Sequence, residues 1–211
     1  RRMEVYAAQI TSMDAGIGRI VKDLKRRGNF DNTLILYMTD NGGCHVEYGK
    51  NRKGPYLPAA TRDGRKMRPG NIPDLMPGPE ITYQSYGYGW ANVSNTPYRM
   101  FKQFDHEGGI RTPLIAHWPR VLKAEPGRSA AGVDQGLSPT PLGPITRQPG
   151  HLIGFMATFL ELGKASYPKK VGSRTIDPLQ GKSLAPIFKG RQRDGHETLY
   201  QHFGTDRALR Q

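Results

Sequence analysis

The chain contains 211 residues, a length typical of one domain or of a large part of a bigger one. Its composition is that of a globular protein, which excludes wholesale disorder, and it has no run of about 18 apolar residues that could cross a membrane. The 31 Lys and Arg outnumber the 18 Asp and Glu, so a net charge of +13 attracts nucleic acid, anionic lipid and phosphorylated or sulfated molecules alike. The single cysteine, Cys44, excludes an internal disulfide and any zinc site built from several cysteines.

Neither end of the chain has the features of a natural terminus. It begins at Arg1 without an initiator Met or a signal peptide, and it closes at Gln211 without a cap. We therefore expect a fragment of a longer protein, in which a targeting signal would lie upstream.

Residues 4–27 have the spacing of an amphipathic helix. Its apolar positions recur every three or four residues, which predicts one buried stripe. The stripe consists of Ile10, Met13, Ile17, Ile20, Val21 and Leu24. We expect Gly28 to end the helix. Gly16 and Gly18 predict close packing against a neighbouring element, because each disfavours the helix by about 1 kcal/mol relative to Ala.

A continuous apolar run at 33–39 predicts a strand covered on both faces, as in the centre of a parallel sheet. Asp40, Asn41, Gly42 and Gly43 follow it directly. Ligands bind at the carboxyl edge of α/β sheets, so this polar cluster is a candidate site.

Residues 42–97 contain nine Gly and seven Pro and lack sustained periodicity, which predicts a long loop that is functional or disordered. Within it, residues 50–68, called here the basic segment, hold seven basic residues and one acidic residue, Asp63. A mobile, solvated surface explains these charges without a partner. The alternative is that the segment draws an anionic substrate towards the site.

The sequence pattern after residue 95 predicts short helices and strands separated by irregular stretches. We expect a helical turn at 96–102, a strand at 112–118, a helix over 152–160 ended by Gly163, a helical turn at 184–188, and strand-like pieces around Leu199 and Ala208.

Two clusters could carry chemistry, and each also has a plainer explanation. Asp40-Asn41-Gly42 is a common turn sequence, but it could also supply two of the about six to eight oxygen ligands that Ca²⁺ takes. Lys102 is either a surface cation or part of an anion site, since an imidazole, carboxylates and a glycine pair follow it closely. His106 alone is more often structural than catalytic.

Five segments in order resemble the sulfatase family of the alkaline-phosphatase-like superfamily, and together they extend over nearly the whole chain. They are residues 6–20, 32–43, 94–99, 102–113 and 178–184. They include Thr39-Asp40-Asn41-Gly42-Gly43, Ser94-Asn95-Thr96-Pro97 and Glu107-Gly108-Gly109-Ile110-Arg111-Thr112-Pro113. The resemblance implies an α/β fold, part of a mixed or parallel sheet sandwiched by helices. Residues 1–163, with the loop 42–97, would form the C-terminal part of the catalytic domain, and 164–211 would begin a small antiparallel subdomain that is cut short.

The resemblance also implies roles for three residues. Asp40 and Asn41 would complete a Ca²⁺ site together with two upstream aspartates and the catalytic residue. Lys102 would contact the sulfate and help to stabilise the departing oxygen. A cation and a positioned ammonium group stabilise the negative charge that develops on such oxygens. His106 matches no catalytic position of the family.

The nucleophile of the family is missing. Sulfatases convert the Cys or Ser of a Cys/Ser-x-Pro/Ala-x-Arg motif to formylglycine, whereas Cys44 lies in Gly43-Cys44-His45-Val46-Glu47. We therefore expect the formylglycine upstream and expect no turnover by this chain alone. Two local departures are the Pro-rich stretch 127–150 and Gly154, which stands where the family usually has an acidic residue.

The resemblance implies hydrolysis of sulfuric esters of the arylsulfatase type, in the periplasm or outside the cell. The substrate would be an anionic sulfate ester, and a sulfated polysaccharide is one candidate. A phosphodiesterase or phosphonate hydrolase of the same superfamily is the first alternative. A basic nucleic-acid binding module is the second, and it is disfavoured because the charges cluster in a loop without a binding signature. We expect no nucleic-acid partner and no membrane span, and the sequence leaves the oligomeric state open.

Overall fold

The computed structural model describes residues 1–51, 53–122 and 145–211, so the Pro-rich stretch 127–150 lies outside the described residues up to residue 144. The helices are α1 (Arg2–Arg26), α2 (Gly87–Asn95), α3 (Glu107–Ile110), α4 (Gly154–Gly163) and α5 (Ala185–Phe188). The strands are β1 (Ile35–Met38), β2 (Arg68–Pro69), β3 (Thr82–Tyr83), β4 (Leu114–His117), β5 (Lys170–Val171), β6 (Arg174–Thr175), β7 (Leu199–Phe203) and β8 (Asp206–Arg210).

The chain divides into two compact units. The first consists of residues 1–28, 36–115 and 200–210, and the second of residues 29–35, 116–199 and 211. Both helices and strands occur, and the described strands form four two-stranded sheets: β1 with β4, β2 with β3, β5 with β6, and β7 with β8. The fold is therefore mixed α/β. The division into 1–163 and 164–211 stays a prediction.

Helix α1 confirms the predicted helix but not its burial. Gly28 follows the last turn with a φ of +70°, and its N–H donates to the carbonyl oxygen of Lys25 at 3.0 Å. None of the α1 residues is buried, and Ile20 is 64% exposed. No atom outside the local helix backbone lies within 4 Å of a Cβ built on Gly18, so the predicted close packing there is wrong. Ile17, Val21 and Leu24 of the stripe are half-buried, whereas Ile10, Met13 and Ile20 are exposed, so the described residues cover the stripe only in part.

Strand β1 lies inside the run that predicted it, but the structure does not cover it on both faces. Its residues are half-buried except Tyr37, which is 41% exposed. The partner strand β4 confirms the strand predicted at 112–118, and its Ile115 is 60% exposed. The expectation of a fully covered central strand is therefore wrong for the described residues, in which β1 pairs with a single neighbour.

The predicted loop 42–97 contains more structure than its sequence indicates. Strand β2 pairs with β3 in parallel register, and α2 occupies the end of the loop. Helix α2 escapes periodicity analysis because it is short and contains two glycines near its start. The helical turn predicted at 96–102 is wrong, since α2 ends at Asn95 and turns and bends follow it.

The second unit has a small core around α4 and α5. Thr158, Leu184, Ala185 and Phe188 are buried there. Thr158 Oγ1 accepts a hydrogen bond from the Leu184 N–H at 2.8 Å. A Cβ on Gly154 would lie 2.7 Å from the carbonyl oxygen of Lys182, which explains why this chain has glycine at that position. Both predicted helical elements are confirmed here.

Strands β7 and β8 confirm the two strand-like pieces predicted near the end of the chain. They pair with each other, and Gly204 in the connection has a φ of +59°, a backbone conformation that glycine adopts at little cost.

Candidate active site

The site begins at the bend that follows β1. Asp40 is exposed and Asn41 is half-buried. The Nδ2 of Asn41 donates to the carbonyl oxygen of Gly42 at 3.0 Å, which leaves its Oδ1 available as a ligand. Among the described residues, no ion pair or hydrogen bond engages the Asp40 carboxylate. Two neighbouring side chains therefore offer oxygen atoms of the kind that hard cations take.

Two backbone hydrogen bonds join this bend to the loop that carries Lys102. The Gly42 N–H donates to the carbonyl oxygen of Gly109 at 3.0 Å, and the Lys102 N–H donates to that of Gly43 at 3.1 Å. A long stretch of sequence separates the predicted metal ligands from the predicted sulfate-contacting lysine. The fold brings the two segments together.

Glycine is required where these segments meet. A Cβ on Gly42 would lie 1.8 Å from the carbonyl oxygen of Gly108. A Cβ on Gly108 would lie 2.0 Å from that of Met100, and a Cβ on Gly109 would lie 1.9 Å from that of Phe104. Any side chain would have to push the backbones apart, so the glycines permit the contact that assembles the site.

Replacing Gly42 by Ala should therefore destabilise the protein by about 1–3 kcal/mol and lower any activity that depends on the site. The matched control is Gly18→Ala, because open space surrounds that position within α1 and alanine should stabilise the helix by up to about 1 kcal/mol. Urea unfolding of both variants measures the difference. Equal free energies of unfolding would contradict the close packing at Gly42.

Asn95, the last residue of α2, also holds the bend in place. Its Oδ1 accepts a hydrogen bond from the Gly43 N–H at 3.1 Å, and its Nδ2 donates to the carbonyl oxygen of Ala91 at 2.6 Å. The hydroxyl oxygen of Tyr86 would lie 2.2 Å from a Cβ on Gly43, and burial raises the pKa of this tyrosine above its ordinary value. Asn95 lies in the motif Ser94-Asn95-Thr96-Pro97, which by itself predicts no role for this side chain.

An aromatic cluster lies beside Lys102. Phe101 is 1% exposed, and the ring of His45 stacks on it with 4.4 Å between the centroids. Tyr88 meets Phe101 edge-on at 4.8 Å, and Phe104 does so at 5.4 Å. Because Phe101 and Phe104 flank Lys102 closely in sequence, their packing fixes the backbone of that loop. Sequence analysis missed this cluster, since its members show no common periodicity.

Glu107 connects the motif that begins at α3 to β8. Its carboxylate pairs with Arg111 at 3.3 Å and with Arg210. The guanidinium of Arg111 lies 4.9 Å from the centre of the Tyr98 ring, which adds a cation–π contact. These charged groups are mutually paired, so they hold the loop rather than face a ligand.

His106 and Lys102 differ in burial and in their contacts. His106 is exposed, and its carbonyl oxygen accepts hydrogen bonds from the N–H groups of Gly109 at 2.8 Å and Ile110 at 3.1 Å. Lys102 is half-buried, and within the described ranges its ammonium forms no ion pair.

No group of three or more His, Cys, Asp and Glu side chains in the described residues could hold a metal ion. Asp40 and Asn41 would thus need further ligands.

Residues 60–66 of the basic segment fold into a turn. Ala60 and Lys66 form an antiparallel bridge, and the Asp63 carboxylate accepts hydrogen bonds from the Thr61 hydroxyl and the Arg65 guanidinium. The hydrogen bond from Thr61, followed by the one from Arg65, lowers the pKa of Asp63 below its ordinary value. Arg65 also pairs with Glu80 at 3.0 Å. The basic side chains that the structure describes in this segment are exposed, as both sequence interpretations require.

Comparison with known proteins identifies the family. The profile of the Sulfatase family matches residues 1–165. The chain belongs to the sulfatase family. An uncharacterised sulfatase of Schizosaccharomyces pombe is 35% identical over 59% of this chain and 21% of its own length. The arylsulfatase of Klebsiella aerogenes is 35% identical over 57% of this chain and 24% of its own length. The steryl-sulfatase of Mus musculus is 29% identical over 93% of this chain and 22% of its own length.

The match to the sulfatase family includes both segments of the candidate site, because residues 1–165 contain the bend after β1 and the loop of Lys102. The chain spans about a fifth to a quarter of the length of these three relatives. In the described parts of this sulfatase-family chain, no helix is both long and apolar enough to cross a membrane.

Proposed function

We propose that this chain forms part of the active site of a hydrolase that cleaves sulfate esters. The observation that carries the proposal is the pair of backbone hydrogen bonds from Gly42 and Lys102, which places an oxygen-rich bend against a loop with an unpaired cation. A sulfate ester needs both features, since its oxygens gain negative charge as the ester bond breaks. Family membership supports the same chemistry.

Asp40 and Asn41 fit a Ca²⁺ ion in charge and donor type. One supplies a carboxylate and the other an amide oxygen, and neither oxygen donor is engaged by another described side chain. When bound, Ca²⁺ would offset negative charge on the oxygens of the sulfuryl group. The remaining ligands would come from residues beyond this chain, as would the formylglycine nucleophile.

Lys102 would hold the sulfate group. Its backbone is fixed by Gly43 and by the packing of Phe101, so the start of the side chain is held while the ammonium remains unpaired. An ammonium group in this position would donate hydrogen bonds to the sulfuryl oxygens and stabilise charge on the departing oxygen. These two roles need no proton transfer from Lys102.

The proposal is tested by comparing two proteins on one substrate pair. The protein encoded by the full open reading frame that contains residues 1–211 should hydrolyse 4-nitrophenyl sulfate faster than the phosphodiester bis(4-nitrophenyl) phosphate, and it should lose activity with a Ca²⁺ chelator. The purified 211-residue chain should show no turnover of either ester. Preference for the phosphodiester would favour a phosphodiesterase or phosphonate hydrolase instead, and turnover by the isolated chain would contradict the requirement for an outside nucleophile.

The basic segment would attract a polyanionic substrate such as a sulfated polysaccharide. Raising the ionic strength from about 0.01 M to about 0.15 M shortens the screening length from about 30 Å to about 8 Å, so KM for a sulfated polysaccharide should rise several-fold. KM for 4-nitrophenyl sulfate should change much less. An equal response of the two substrates would show that the segment does not steer substrate. Location in the periplasm or outside the cell stays a prediction.

A further inference from the structure

Four basic side chains gather in the second unit. His151 precedes α4, Lys182 precedes α5, and Arg193 and His196 lie in the segment before β7. The charges of Lys182, Arg193 and His151 all act on His196. We call these four residues the basic cluster. Lys182 lies in the motif 178–184, but neither that motif nor the proposed active site gives a role to any of the four.

Arg193 is fixed on one side and unsatisfied on the other. Its Nη2 donates to the carbonyl oxygen of Pro149, and its backbone N–H donates to Oε1 of Gln148 at 3.1 Å. Its Nε and Nη1 are buried and have no hydrogen-bond partner. A guanidinium group is always charged and offers five N–H donors, so two idle nitrogen atoms in one anchored group are unusual.

His196 presents a second unsatisfied atom. Its Nε2 is buried and also lacks a partner. The Lys182 ammonium donates to the carbonyl oxygen of Gly195 at 2.7 Å, next to His196 in the chain, and a lysine has two further N–H donors. Burial, and then the neighbouring positive charges, lower the pKa of His196 below its ordinary value.

The positive charge of the cluster has no described counterion. Asp194 and Glu197 lie beside these residues in the sequence, but both are exposed, and no ion pair links either of them to the cluster within the described ranges. Two permanent positive charges and several unused donors in one place disfavour a cation and favour an anion with several acceptor oxygens.

We propose that the basic cluster binds a tetrahedral oxyanion, namely a sulfate group. Arg193 supplies Nε and Nη1, Lys182 supplies its ammonium, and His196 supplies a hydrogen bond from Nε2. Free inorganic sulfate and a sulfate group on a saccharide share this chemistry. The proposal concerns the second unit alone and does not depend on the proposed hydrolase function.

Sulfate binding to the protein encoded by the full open reading frame tests the proposal. Because Lys102 is expected to contact sulfate as well, every protein carries Lys102→Met, and calorimetric titration with sodium sulfate at constant ionic strength measures the remaining site. We expect one site, weakened at least tenfold by Lys182→Met and by Arg193→Gln. Lys189→Met is the matched control, since Lys189 pairs with Glu161 outside the cluster, and it should leave affinity unchanged.

Two results would overturn the proposal: no sulfate binding in the Lys102→Met background, or the same affinity in the cluster variants as in the control. Arg193→Gln also loses the contact to Pro149, so if that variant unfolds, Lys182→Met decides the question alone, because Lys182 is exposed. A monosulfated disaccharide and its unsulfated counterpart then separate the two sources. Tighter binding of the sulfated disaccharide than of inorganic sulfate assigns the site to a substrate, and equal or weaker binding assigns it to the free ion.

Discussion

Replacing Lys102 by Ala in the protein encoded by the full open reading frame should lower its kcat for 4-nitrophenyl sulfate by on the order of 100-fold to 1000-fold. The variant removes the ammonium and its aliphatic stem, but it keeps the backbone N–H that bonds to Gly43. Its effect should appear in kcat rather than only in KM, since the leaving oxygen gains most of its charge as the bond breaks. Steady-state kinetics with a chromogenic sulfate ester measure both constants.

Lys66→Ala is the control for this loss. Lys66 carries the same charge, is exposed, and lies in the basic segment away from the backbone contacts that form the site. It should leave kcat for the small ester unchanged. Lys102→Arg should retain part of the activity, because it keeps the charge but alters the donor geometry. Near-normal kcat in Lys102→Ala, with unchanged thermal stability, would remove Lys102 from the proposed machinery.

Sequence patterns predicted helices and strands where the apolar periodicity was regular or where a helix-ending or turn-forming residue marked a boundary. Helix α1 and its end at Gly28 follow from apolar spacing and a helix-ending glycine, and β1 follows from a continuous apolar run. Burial could not be predicted in the same way. The apolar stripe of α1 indicates which face of the helix can be buried. Whether that face is buried depends on elements that are distant in the chain or lie outside it.

The candidate site shows the same division. Asp40, Asn41 and Lys102 were found because their motifs resemble those of a family, and their meeting through Gly42 and Gly109 is a tertiary fact that no local pattern contains. Asn95 and His45 were given no role, since neither an amide that bonds to a distant bend nor a stacked ring carries a signal at its own position. Motifs therefore predicted the proposed ligands and the proposed sulfate contact, but not the residues that hold their backbones together.

Replacing Asp40 by Ala should raise the Ca²⁺ concentration required for half-maximal activity by more than about tenfold, because it removes one of the few anionic ligands from a site whose affinity depends on ligand charge. Asp40→Asn tests charge separately from geometry, since it keeps an oxygen at the same position. The isolated chain should bind Ca²⁺ weakly even without a substitution at Asp40, because Asp40 and Asn41 are the two side chains that we propose as ligands and a Ca²⁺ ion takes about six to eight oxygen atoms.

Asp63→Ala is the matched control for Asp40→Ala. Both substitutions remove an exposed carboxylate, but that of Asp63 is occupied by Thr61 and Arg65 in the turn of the basic segment. Activity titrated against Ca²⁺ after chelation should therefore shift for Asp40→Ala and stay unchanged for Asp63→Ala. If the two variants respond alike, the oxygen atoms at the end of β1 are not metal ligands. The bend would then serve only as the backbone support for Lys102, and the loss of activity in Lys102→Ala would stand without a metal site beside it.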